Sequence, residues 1–171
     1  MTTQIIATTQ AAALLKRALR AQYPGVKFSV RTERGTACAW LRVSYTDGPT
    51  VRAVQHIADG YCGQRFNAIT DVYDVLPDRL VTVDGRTHSV RYLVDGVLAS
   101  REIGPEGRAA VAERVAAVAP GVTAQDPDGN LAAAYLTPEQ ATELGVPCIY
   151  ASVTVRDAAH SVLAGLDLTP A

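Results

Sequence analysis

One tryptophan, two phenylalanines, one methionine and three cysteines are spread over 171 residues, and these scarcities narrow the possible chemistry. Cys38, Cys62 and Cys148 are odd in number and far apart, which argues against a disulfide framework and fits a reducing compartment. No CxxC or CxxH pair occurs, and His56, His88 and His160 are equally scattered, so no metal site is expected and no cofactor is implied. GxSxG, HExxH, a papain-like cysteine context and a glycine-rich phosphate loop behind a strand are all missing, so the expectation is a non-enzyme. The DPDGN segment sets Asp126, Asp128 and Asn130 at calcium-loop spacing, but Thr137 stands where a bidentate Glu belongs, and the segment reads as a turn. Cys38, beside Trp40 in a strand-like run, reads as a small buried hydrophobe.

Long apolar runs are also lacking. The richest, Ala109 to Ala119, is interrupted by Glu113 and Arg114, so no membrane contact is expected. The start, MTTQIIATTQ, has neither a basic segment nor an apolar core, and the expected location is the cytoplasm.

What is present is an ordinary globular composition, 48% apolar and 19% charged, on a length that can bury a core unaided. The net charge of -1 hides an asymmetry: residues 1–70 carry nine Lys/Arg against three Asp/Glu, and residues 71–171 carry seven against fourteen. Such a dipole orients a molecule towards a polyanion, and an Arg- and Ala-rich GC-biased composition produces it without any function.

The pattern predicts a helix over about 10–22, capped by Thr8 or Thr9 and stopped by Pro24-Gly25. Val26, Phe28 and Val30 then alternate with Lys27, Ser29 and Arg31, and Ala39, Leu41 and Val43 with Trp40, Arg42 and Ser44. Two paired strands result, greasy on one side and cationic on the other. A helix over 51–59 follows, then a strand from Phe66 towards Leu76, and a meander over 80–83, 87–94 and 97–103 turned by Asp84-Gly85 and Asp95-Gly96. Pro105 opens a helix, Thr137-Pro138-Glu139-Gln140 caps a short one, 148–155 reads as a last strand, and 158–171 as a short helix or a frayed tail. The expected fold is α+β: an antiparallel sheet with helices on one face, ordered α-β-β-α-β-β-β-α, in a domain over 1–118 with an annex over 119–171.

Two strand motifs, PGVKFSVR and VSYTDGPT, together with VRYLVDGVLASREIG further on, resemble the large polyvalent protein-associated domain numbered twenty-nine, over roughly residues 8–106. That domain occurs in phage and conjugative-plasmid proteins. Phe66-Asn67-Ala68 departs from the Phe-Asp-Gly-like run expected there. The resemblance implies a mobile-element origin and factors that help incoming DNA against host defences, and it carries over no catalytic residue.

The candidate binding residues are Lys27, Arg31, Trp40 and Arg42 on the outward strand face, with Arg17 and Arg20 on the first helix. Two partners fit. One is a host defence protein, inhibited by an accessory protein of anti-CRISPR or anti-restriction type through that face or through Asp71, Asp74, Asp78, Asp84 and Asp95. The other is a single-stranded nucleic acid, its phosphates on the cations and a base on the indole. The same alternation also describes a merely solvated sheet.

Overall fold

The computed structural model describes residues 3–83, 85–147 and 152–170. The chain forms two compact units, one from Met1–Tyr45 and Val51–Ser100, the other from Thr46–Thr50 and Arg101–Ala171. The boundary expected at 118/119 therefore falls inside the second unit.

The first unit is organised around helix α1, Thr8–Gln22. Gln10 Oε1 accepts the Ala7 N–H at 3.2 Å, closing the N-terminus one residue before the threonines expected to cap it. Ala11, Leu15 and Leu19 recur every four residues and are fully buried. Each leucine contributes about 2 kcal/mol by burial. They share a core with Phe28, Leu41, Val43 and Tyr45. Strands β2 (Ser29–Thr32) and β3 (Trp40–Thr46) pair antiparallel, as the alternation predicts. Their loop holds a short 3-10 turn at Gly35–Ala37, and Cys38 at its end is exposed rather than buried, because the strand begins only at Trp40.

After α2 (Val51–Asp59) the chain departs from the expected meander. The strand foreseen from Phe66 is a hairpin, β4 (Gln64–Asn67) against β5 (Val72–Val75). Asn67 Oδ1 accepts the Ile69 N–H at 3.0 Å and Asp71 adopts φ +56, so side-chain bonding of an Asn overrides the alternation and reverses the chain. Strands β6 (Arg79–Val83) and β7 (Arg86–Tyr92) form the predicted antiparallel pair, with Gly85 at φ +73; Asp84 lies outside the described residues. Strand β8 (Gly96–Glu102) does not continue that meander. It joins β3, giving the order β2-β3-β8. Asp95 N–H donates to Ala39 O at one end and Asp47 N–H to Glu102 O at the other, so β3 and β8 run in the same direction. The Asp95-Gly96 pair thus carries the chain between sheets instead of turning a hairpin.

A strand not foreseen at all, β1 (Thr3–Ile6), lies parallel to β7. The fold is α+β, as expected, but its sheets are small and include parallel pairs. Asp78 fastens β1: its carboxylate accepts from Thr3 Oγ1 at 2.7 Å and from Arg91 Nε at 2.6 Å. Those two bonds hold its pKa below the ordinary carboxylate value. A depressed pKa stabilises the fold fully above the ordinary range, near about 3.9, and that contribution is lost as pH falls through the lowered value. The stability gap between the natural chain and Asp78→Asn, measured by denaturant melts across pH, should therefore be full at neutrality and vanish in acid. A gap independent of pH would contradict this role.

The second unit packs α3 (Pro105–Val118), β9 (Tyr135–Leu136), α4 (Pro138–Glu143), β10 (Val153–Thr154) and α5 (Val155–Leu163) around Val111, Val115, Leu136, Val155 and Leu163. Thr137 and Gln140 make the predicted capping box. Of the strand expected over 148–155, residues 148–151 lie outside the described residues, Val153–Thr154 pairs with β9, and Val155 already begins α5. Beyond the short terminal helix expected, α5 buries five residues.

Two charged side chains are buried among the described residues, Asp47 and Arg101, and both belong to this unit. Asp47 Oδ1 accepts the Gly104 N–H at 2.8 Å and the Gly107 N–H at 3.0 Å, while Oδ2 accepts the Glu106 N–H at 3.2 Å. A residue far away in sequence thereby caps the start of α3, where unpaired N–H groups favour an anion. Arg101 donates to Gly48 O, Pro49 O, Leu163 O and Leu166 O, joining the same short segment to the C-terminal end of α5.

Candidate nucleic-acid interface

Strand alternation places Ser29 and Arg31 on one face of β2 and Trp40, Arg42 and Ser44 on the same face of β3. The register sets Arg31 directly opposite Arg42 and Ser29 opposite Ser44, and both arginines are exposed. Like charges facing each other across a ladder cost stability. Arg42 is partly compensated by Glu33, whose Oε1 accepts from its Nε at 2.6 Å, but the arginine side chain remains 57% exposed and such surface pairs contribute little. Arg31 has no such carboxylate partner among the described residues.

Lys27 is exposed just ahead of β2, between the buried Val26 and Phe28, so it projects to the same side. Arg17 and Arg20 are exposed on α1, which packs on the buried face of these strands, so they point away from the other four. Arg17 instead lies near Tyr61, whose pKa is raised chiefly by burial and further by Tyr92, with Arg17 opposing. The structure therefore gathers Lys27, Arg31, Trp40 and Arg42 and leaves Arg17 and Arg20 elsewhere on the unit.

Trp40 is half-buried. Its indole rests on Gly96: a Cβ there would stand 2.4 Å from the ring. Gly96 is needed for close approach, not for a positive φ, which is why the Asp-Gly signal misled. The indole forms one wall of a cleft of about 330 Å³ that also takes in Phe66 and Tyr73 of the β4–β5 hairpin, Asp59, Asp95 and Arg65. Phe66 and Tyr73 are cross-strand partners with ring centroids 5.4 Å apart, and they are 50% and 44% exposed. Cys62 lines the floor; burial, then Asp59, pushes its thiol up to about 11, so it is protonated at neutral pH and unsuited to act as a nucleophile. The cleft escaped sequence reasoning because its walls come from three segments brought together only by the fold. The exposed aromatics of β4 and β5 were the available signal, and it was hidden by reading the hairpin as one strand.

The charge asymmetry of the sequence halves persists, slightly reduced, in the two units. The first unit carries twelve Lys/Arg against seven Asp/Glu, the second four against ten. Asp71, Asp74, Asp78, Asp84 and Asp95 all belong to the cationic unit, and Asp74 and Asp78 are engaged locally, by Asn67 and by Thr3 and Arg91. Among the described residues no group of three or more His, Cys, Asp or Glu is placed to hold a metal ion, and no helix is long and apolar enough to cross a membrane.

These features define an α+β module with an open cationic and aromatic sheet face. The chain belongs to the family of large polyvalent protein associated domain 29, whose model matches residues 6–104, and such domains are associated with polyvalent proteins of phages and mobile elements. No curated protein and no solved structure matches the chain significantly.

Proposed function

We propose that this chain is a non-catalytic accessory module of a mobile-element protein and that it holds single-stranded nucleic acid on the outward face of β2 and β3. The observation that carries the reading is the in-register pair Arg31 and Arg42, with Trp40 two residues further along the same face. Two cations set side by side against their mutual repulsion are explained by an anion that neutralises both. The indole beside them offers a stacking surface, and stacking accepts any base. Duplex DNA lacks unpaired bases for it, so the single strand is the favoured ligand. In the setting implied by the family, such a face serves evasion of host defence by covering the incoming strand. Direct capture of a host defence protein by an acidic surface has less support, because Asp74 and Asp78 are already engaged within the unit.

Trp40 is the sole tryptophan, so tryptophan emission, excited selectively over the seven tyrosines, reports on this face alone. Adding a dT12 strand at low salt should quench it in a saturable way, and a duplex of equal length should quench it less. Unchanged emission with both would overturn the proposal.

A further inference from the structure

The cleft beside Trp40 presents a puzzle for a surface that attracts phosphate: two of its lining residues are aspartates. Asp59 is partly occupied, its Oδ1 accepting from Gln55 Nε2 at 2.7 Å. Asp95 is half-buried, and among the described residues its carboxylate has no hydrogen-bond partner. Neither acid suits a phosphate. Both suit a ligand that is flat, apolar on its faces and rich in N–H groups at its edge, since a carboxylate can only accept.

We propose that this cleft takes one unpaired base from the strand held on Arg31 and Arg42, and that Asp95 selects bases bearing an exocyclic amine, guanine above all. The inference rests on the nucleic-acid reading and adds base preference to it. Three aromatic residues, Trp40, Phe66 and Tyr73, line a space of about 330 Å³, ample for a single base. Guanine offers adjacent N1–H and N2–H donors that match the two oxygens of one carboxylate. Cytosine and adenine offer an amine beside an acceptor. Thymine offers one N–H flanked by two carbonyls, which a carboxylate repels. The two signs of charge then divide the work: Arg31 and Arg42 hold the backbone and Asp95 reads the base, while Arg65, which also lines the cleft, supplies a cation for the phosphate attached to that base.

The test compares dT12 with the same strand carrying one central guanine, cytosine or adenine, using anisotropy of a terminal fluorescein. The guanine strand should bind about tenfold tighter than dT12, in line with one bidentate contact, with cytosine and adenine between. Asp95→Asn keeps the turn-forming character of the position and should abolish the advantage of guanine over thymine, because the amide has only one acceptor for guanine and no longer repels thymine's carbonyls. Equal binding of all four strands by the natural chain would overturn the base preference and leave the strand-binding reading standing. A preference that survives in Asp95→Asn would remove Asp95 from the role. Absence of binding to every strand would bring down both readings.

Discussion

Asp47→Ala should lower stability by about 3 kcal/mol, seen as a fall of about 10 °C in Tm. Three backbone N–H groups at the start of α3 lose their acceptor at once, and two of them, on Gly104 and Gly107, are buried. Ordinary caps contribute about 0.5–2 kcal/mol, and the excess here comes from the charge on the acceptor and from burial. Backbone strain adds to the loss: Asp47 sits at φ +52, a conformation that alanine tolerates less well than Asp. Asp47→Gly separates the two effects, because it relieves the strain and still loses the cap. Gly107→Ala supplies a control of opposite ordinary sign. Alanine inside a helix normally stabilises by about 1 kcal/mol over glycine, but a Cβ at 107 would stand 2.6 Å from Asp47 Oδ1, so this change should destabilise. A rise in Tm for Gly107→Ala, or a loss below about 1 kcal/mol for Asp47→Ala, would contradict the capping role.

Arg101→Leu should cost a comparable amount, about 3 kcal/mol by loss of a buried, fully engaged cation. Its guanidinium serves four carbonyls, and Leu163 O and Leu166 O lie where a helix end favours positive charge. Leucine fills part of the volume but leaves those oxygens without a donor. Arg101→Lys, which retains the charge without the planar fork, should recover only part of the loss. Thermal melts of the three proteins distinguish the outcomes: Lys equal to the natural residue would mean that charge alone matters, and Leu equal to it would mean that the carbonyls find other partners.

These two residues also show what the sequence could and could not convey. Asp47 lies in VSYTDGPT and Arg101 and Gly104 in VRYLVDGVLASREIG, so the motifs that carry the family resemblance were visible as strings. Their reason was not, because it is a contact across 57 residues between Asp47 and Gly104. Elements governed by local chemistry read correctly: the Leu15–Leu19 stripe of α1, the alternation of β2 and β3, Pro105 and the Thr137 cap. Elements governed by distant partners did not. Strand β1 is four residues whose pairing lies on β7, and β8 follows Trp40 of β3 rather than its neighbour in sequence. The candidate face was half legible. Periodicity put Lys27, Arg31, Trp40 and Arg42 together, and it also set Arg17 and Arg20 opposite the Leu15–Leu19 stripe; the packing of that stripe against the strands means that these two arginines belong to another surface.

The central claim is that Arg31 and Arg42 neutralise phosphates of a single strand. It is tested most directly by the salt dependence of dT12 affinity for the natural chain and for the Arg31→Ala/Arg42→Ala double variant. Each phosphate neutralised on a single strand contributes about 0.7 to the slope of log affinity against log salt, so the double variant should lose about 1.4 from that slope along with most of its affinity at low salt. A natural chain and a double variant with the same slope and the same affinity would contradict the claim.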